Sequence, residues 1–211
     1  MTIVARFHVT GQDGDVKFAF VSGNPALDLV GTVESRRDKP VDLLTSPVDL
    51  EEWVRGCDEL PDDVTVDAAA FTAVLELREA IHQLAHDRMR NRRFTPAGLD
   101  TVNEAAAGPV PTIELSDDGL RLSGDLRAVR AHVARSGIAM LADLHACLKE
   151  CGRAGCTRLY LDRSRGARRT WCGMESCGNR VKASAYRARR QAAAQGRDPK
   201  KGQVPTPRSR P

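Results

Sequence analysis

Aromatic side chains are scarce in this chain: they make up 4% of its 211 residues, although 41% are hydrophobic. An interior of that kind must be assembled from Leu, Val and Ala, a mix that leans towards helices. No apolar run approaches the roughly 18 residues of a membrane span, and the opening MTIVARFHVTGQDGD has neither the charged start nor the apolar centre of a secretory signal. A cytoplasmic protein is expected. Equally missing are a phosphate-cradling glycine loop, a nucleophile with a base beside it and a catalytic carboxylate pair; Gly11-Gln12-Asp13-Gly14 reads as a turn. These absences point away from an enzyme. No internal repeat is visible.

Acid in one half and base in the other is what the chain does have. Residues 1–150 hold 16 Lys and Arg against 25 Asp and Glu, a balance of −9, whereas residues 151–211 hold 16 against 3, a balance of +13. The sum, +4, hides the division. A segment so basic is drawn to polyanions, because every phosphate it neutralises releases condensed counterions. Nucleic acid is the expected partner of the C-terminal part.

Four of the six cysteines stand in that part as matched pairs. Cys151 and Cys156 are separated by four residues, Cys172 and Cys177 by four, and fifteen residues lie between the pairs. Short chelating loops bring sulfurs to one ion at small entropic cost, and a structural Zn²⁺ takes a closed tetrahedron of thiolates. In a reducing compartment this pattern favours one structural Zn²⁺ over disulfides. Cys57 and Cys147 have no spaced mates and read as buried thiols.

Short strands are expected at Phe7–Val9 and Lys17–Val21. Ser22-Gly23-Asn24-Pro25 starts a helix, with Asn24 as cap and Pro25 at the first helical position, and its apolar positions carry it to about Arg36. A short helix begins near Ser46-Pro47. From Asp67 to about Arg90 the apolar period is clearest, with Arg78 projecting from the apolar face, where a guanidinium needs an anion. Thr95-Pro96 restarts a helix. Thr112–Leu115 and Leu120–Leu122 alternate around Asp117-Asp118-Gly119 as a hairpin, and a long helix runs from Leu126 to Leu148. Leu159–Asp162 reads as a strand leading into a hairpin around Ser164–Ala167, from which Arg168–Trp171 returns.

Behind Cys177 the chain enters a helix crowded with arginine. At 100° per residue, Val181, Ala185, Ala188 and Ala192 form a narrow apolar stripe expected to pack against the zinc knuckle. Arg180, Arg187 and Arg190 lie on one side of the opposite face, Lys182 and Arg189 on the other, and Tyr186 between them. With Arg168 and Arg169 these are the candidate nucleic-acid contacts, of a kind that suits the major groove or the phosphates beside it. Trp171 is assigned to the small core of the finger.

These residues resemble a known family. Leu161-Asp162-Arg163-Ser164-Arg165, Arg168-Arg169-Thr170-Trp171-Cys172-Gly173-Met174 and Cys177-Gly178-Asn179-Arg180-Val181-Lys182-Ala183 are similar to the CGNR zinc finger. Gly23-Asn24-Pro25-Ala26-Leu27-Asp28-Leu29-Val30-Gly31-Thr32-Val33, with Arg36, Asp42-Leu43-Leu44, Trp53 and Leu77-Arg78-Glu79, is similar to the ABATE domain that precedes this finger in bacterial stress-induced transcription regulators. Gly31 departs from that family, which usually has Asn there. The resemblance implies Cys151, Cys156, Cys172 and Cys177 as zinc ligands and a DNA-binding role, and brings with it no established catalytic activity.

The expected architecture is α+β: a mainly helical N-terminal domain with small strands over residues 1–148, a four-cysteine zinc module of knuckle, hairpin and basic helix over 149–194, and a disordered basic tail over 195–211. A zinc-dependent, DNA-binding transcription regulator is the first functional reading, its N-terminal domain sensing a small effector or mediating self-association into a homo-oligomer. The alternative is a zinc-stabilised module that binds RNA or an acidic protein. Asn24, Asp28, Thr32 and Arg78 either converge on an effector pocket or, as the simpler arrangement, leave Arg78 paired to Asp28 with Asn24 as a cap. His82 and His86 lie one turn apart without the carboxylate of a metalloprotease motif between them and read as non-ligating.

Overall fold

The computed structural model describes residues 18–117 and 119–195, the last four by backbone alone. The strand expected at Phe7–Val9, Asp118 of the hairpin turn and the tail beyond residue 195 lie outside them. The strand expected over Lys17–Val21 does not form in its described part, residues 18–21. The amides of Val21 and Ser22 bond instead to Oδ1 of Asp28, both at 3.0 Å, so the segment is held by a side chain rather than by a neighbouring strand.

Helix α1 (Pro25–Val30) begins as the capping rule requires: Asn24 Oδ1 accepts from the amides of Ala26 at 3.0 Å and Leu27 at 3.3 Å. It ends at Gly31, well short of Arg36. Gly31, Thr32 and Val33 are weak helix formers, and the Thr32 hydroxyl donates to Leu29 O at 2.7 Å, closing the last turn. Val33–Glu34 (β1) then pairs antiparallel with Val41–Asp42 (β2). All six residues of α1 are buried, the carboxylate Asp28 among its apolar neighbours.

Around α1 lie α2 (Pro47–Arg55), α3 (Ala68–Met89), α4 (Pro96–Ala106) and α5 (Leu126–Ala142). Ser46, Asp67 and Asp125 cap α2, α3 and α5 with side-chain oxygens. Where α1 crosses α5 the approach is tight: a Cβ on Gly137 would stand 3.3 Å from that of Ala26. Trp53, Leu77, Ile81, Leu84, Val129 and Val133 fill the space between the helices. Among the described residues no helix is long and apolar enough to cross a membrane.

Helix α5 stops six residues before the expected Leu148. Asp143 takes extended backbone angles and its Oδ1 accepts from His145 N at 2.9 Å, while Arg88 holds the carbonyls of Leu141 and Asp143 at 3.2 and 2.6 Å. Leu144, which continues the apolar period, is 81% exposed. Strands β3 (Thr112–Ser116) and β4 (Gly119–Ser123) form the expected hairpin in a sheet of their own. Leu148–Glu150 (β5) pairs with Leu159–Leu161 (β6), so the hairpin of the cysteine region closes around Cys151–Cys156 rather than around Ser164–Ala167. Ser164–Ala167 makes a turn, with Ala167 N donating to Ser164 O at 2.9 Å, and Arg168–Trp171 leaves it without pairing as a strand.

The packing does not pause at residue 148. Leu159 and Leu161 belong to the same apolar cluster as the helices, and Leu161 N donates to Ser22 O at 2.8 Å. Two compact units divide the chain between Cys172 and Gly173. The second contains a π-helical turn, Met174–Gly178, followed by α6 (Asn179–Gln195).

Arg78 finds its anion, but not the expected one. It is 4% exposed, forks onto Asp42 with bonds of 2.8 and 2.7 Å, and donates to Glu79 at 2.8 Å and to the Thr32 hydroxyl at 3.2 Å. Arg36 also grips Glu79, at 2.6 and 3.1 Å. The pairing of Arg78 with Asp28 is therefore corrected: Asp28 spends its acceptor oxygen on backbone amides, and the β1–β2 turn brings Asp42 to the guanidinium instead. Because Glu79 still faces Arg78, Asp42→Asn should lower unfolding free energy by about 2 kcal/mol, less than the loss of a sole buried partner, as read from urea denaturation.

Burial pushes the Asp28 carboxyl up to about 6 despite the amide bonds from Ser22 and Val21 that oppose it. Its folded value lies above the unfolded one, so the native state binds the proton more tightly and stability falls as pH rises from about 4 to about 6. Asparagine keeps the acceptor and has no charge to desolvate. Asp28→Asn should flatten that part of the stability–pH curve and gain up to about 3 kcal/mol over the native chain at pH 7, measured by paired melts across the window.

Candidate metal centre and cationic helix

Each cysteine is placed by local backbone structure. Strand β5 delivers Cys151, whose amide donates to Arg158 O at 3.0 Å across the hairpin. The knuckle then turns through Gly155, at φ +77°, where a side chain would be strained, and Cys156 N donates to Arg153 O at 3.0 Å. Gly152 N reaches Thr170 O at 2.9 Å, and Cys172 N donates to Cys151 Sγ at 3.4 Å, which draws the second pair to the first. Gly173 O receives the amides of Cys177 and Gly178 at 3.1 and 3.0 Å in the π turn that precedes α6.

The result is a cluster of four buried sulfurs that lie within 4.8 Å of one another, with no disulfide among them. Zinc–sulfur bonds of about 2.3 Å in a tetrahedron place sulfurs about 3.8 Å apart, so the donor set fits one structural Zn²⁺. Electrostatics agree. The Cys172 thiol is pushed up by its hydrogen bond with Cys156, by burial and by the negative charge of Cys156; a dication supplies the charge that relieves this crowding. Arg158 adds a second cation. Burial would lower its guanidinium, but the negative charge of Cys172, Glu34 and Cys156 raises it, and it pairs with Glu34 at 3.0 Å.

A brace behind the sulfurs was not legible as such in the sequence. Asp162 is buried and accepts from Lys149 Nζ at 2.7 Å, Ser164 N at 3.0 Å, Ser164 Oγ at 2.6 Å and Arg169 N at 2.9 Å. Burial alone would raise its carboxyl, yet those donors, Lys149 first, hold it far below the usual carboxylate range. Tyr160, fully buried, donates to Arg169 O at 2.7 Å. Asp162 and Ser164 in Asp162-Arg163-Ser164 have the loop-binding character of an Asx turn, the one local signal for the brace.

Arg169, one of the candidate nucleic-acid contacts, is half-buried and held in this brace. Its guanidinium lies 4.5 Å from the Tyr160 ring centre, and it donates to Trp171 O and Val21 O, each at 2.8 Å, and to Cys172 O. Arg168 is exposed. So are Arg180, Lys182, Tyr186, Arg187, Arg189 and Arg190 on α6, with the Arg190 guanidinium 5.9 Å from the Tyr186 ring centre. On α6, Val181 is half-buried, Ala185 and Ala188 are exposed, and Ala192 lies outside the side chains described. Trp171 is half-buried, and the aromatic that fills the hairpin is Tyr160.

The four candidate pocket residues do not converge. Thr32 touches Arg78, Asn24 caps α1 and donates from Nδ2 to Ser136 O at 3.1 Å, and Asp28 binds Val21 and Ser22. His82 and His86 stack edge to face 4.6 Å apart. Burial, followed by the charges of Arg36 and His86, lowers His82 to about 4. Of the two unspaced thiols, Cys57 is buried and Cys147 half-buried.

Because β6 lies in the helical core, losing the ion should soften more than the knuckle. Chelation at neutral pH, or Cys151→Ser, should lower the thermal midpoint of the helical body together with that of the cysteine region, by several degrees at least, in one cooperative calorimetric transition. A body melting unchanged while the knuckle unfolds would contradict this.

Comparison with known proteins agrees with the geometry. No curated protein matches the chain. Residues 148–190 match the CGNR zinc finger, and residues 23–144, more than half of the chain, match the family described as "ABATE: Putative stress-induced transcription regulator". The chain thus belongs to the ABATE family and carries a CGNR zinc finger behind its ABATE domain.

Proposed function

We propose that this protein is a zinc-dependent, DNA-binding transcription regulator acting in the cytoplasm, and a binding protein rather than an enzyme. The observation that carries the reading is α6: Arg180, Lys182, Arg187, Arg189 and Arg190 are all exposed on a helix that starts two residues after a zinc-ligand cysteine, within a segment of net charge +13 (16 cations against 3 anions). A helix of that diameter fits the major groove, where arginine forks onto guanine and lysine or arginine meets phosphate. Zinc has a positional role in this reading. It ties Cys177, just ahead of α6, to Cys151, Cys156 and Cys172. The ABATE domain is the part assigned to sensing or to self-association.

Arg187→Ala combined with Arg190→Ala should weaken binding to duplex DNA about tenfold or more. It should also reduce the slope of log affinity against log salt by about 2, since each lost phosphate contact removes about 0.9. Fluorescence anisotropy of labelled duplexes over a salt series reads both. Arg169→Ala should leave that slope unchanged and instead lower the melting temperature. An unaltered slope in the double variant, or equal affinity for duplex DNA, structured RNA and an acidic protein at one ionic strength, would rule the reading out.

A further inference from the structure

Four thiolates around one Zn²⁺ leave negative charge in excess, and here all four sulfurs are buried. Charge held out of water needs a partner to offset its desolvation. Among the cations beside the cluster, Arg169 directs its donors to the carbonyls of Trp171, Val21 and Cys172. Arg37 feels the charge of Cys156, but its side chain is 64% exposed and is held by Glu150. Arg158 differs from both. Its side chain is 9% exposed, and its guanidinium hydrogen-bonds with Cys172 and faces the charge of Cys156.

The backbone brings it there. Arg158 stands immediately before β6, and its carbonyl accepts from Cys151 N at 3.0 Å across the hairpin, so the side chain starts beside the first ligand. The guanidinium then runs past the end of α1 at Gly31, where a Cβ would stand 3.2 Å from Nε. A residue without a side chain leaves the room that the guanidinium takes. Its Nη2 ends on Glu34 Oε1 of β1 at 3.0 Å. One guanidinium is thus shared between the sulfurs and a carboxylate of the helical body.

We propose that Arg158 is a positioning residue for the metal: its guanidinium offsets the excess charge of the thiolates and so sets how tightly the site holds Zn²⁺, with Glu34 competing for the same cation. Arginine suits the task because it stays charged and its fork can serve two acceptors at once. Donors outside the ligand set commonly change metal affinity by this route, by about 10- to 100-fold. The Arg158–Glu34 pair also has a plain structural role open to it, as an anchor of the metal hairpin on β1. The two roles give opposite results when Glu34 is changed.

Zinc affinity of the full-length chain, read by competition with a chromogenic chelator at fixed pH under reducing conditions, tests the proposal. Arg158→Met keeps the apolar stem and removes the charge, and should weaken zinc about 10- to 100-fold. Arg158→Lys should fall between it and the native chain. Glu34→Gln should hold zinc at least as tightly as the native chain, since it frees the guanidinium for the sulfurs. A spectroscopic readout accompanies the affinities. With Co²⁺ in the site, the sulfur-to-metal charge-transfer band should move to lower energy in Arg158→Met, because a thiolate that loses a hydrogen bond gives up electron density more readily, and should not do so in Glu34→Gln. If Arg158→Met fails to fold, Arg158→Lys carries both comparisons. Native affinity with an unmoved band in the Arg158 variant overturns the proposal. So does a Glu34→Gln chain that loosens zinc as much as the Arg158 variant, which would make the pair an anchor alone.

Discussion

A three-residue strand, Leu159–Leu161, is shared between two structures that the sequence presents as separate. Its leucines are part of the apolar cluster of the helical body, its first amide-bonded neighbour beyond the hairpin is Ser22, and its flanks lead to Cys156 on one side and to the Asp162 brace on the other. A region of about forty residues with four thiols could not bury enough apolar surface to hold itself together without metal. Here it draws on a core already assembled by α1, α3 and α5. Arg158 paired with Glu34, Arg37 paired with Glu150, and Arg36 N bonded to the Thr157 hydroxyl extend the attachment around the rim. Those ion pairs contribute little individually; the shared leucines carry the attachment.

The polar interior follows one rule with different outcomes. A buried charge persists where partners compensate its desolvation. Arg78 has Asp42, Glu79 and Thr32, and Asp162 has Lys149 and three other donors. Asp28 is bonded by the neutral donors of Val21 and Ser22, and its carboxyl rises accordingly. Arginines of one local sequence are divided in the same way: Arg169 is folded back onto carbonyls and a tyrosine ring, while its neighbour Arg168 remains in solvent. Composition treats the two as equivalent, and only the fold separates them.

Much of the architecture was legible because its signals are local. Asn24-Pro25, Ser46-Pro47 and Asp67 mark helix starts through hydrogen bonds to amides two or three residues away, and the pattern of α3 repeats on its own face. The failures share a cause as well. Helix α1 stops at Gly31 because the following residues find partners in β2, and α5 stops at Ala142 because Arg88 and Asp143 capture the exposed carbonyls and amide.

The cysteine spacing by itself determined the metal donor set, since loops of four residues constrain where sulfurs can go whatever surrounds them. Charge segregation and the helical character of the chain were fixed in the same way, as properties of composition and short-range order. Tertiary structure alone decided which anion meets Arg78, which arginine is folded back onto carbonyls, and that the metal hairpin and the helical body share one core. Those outcomes depend on residues dozens of positions apart being brought within hydrogen-bond range, and pairing at that separation leaves no periodic trace in a single sequence.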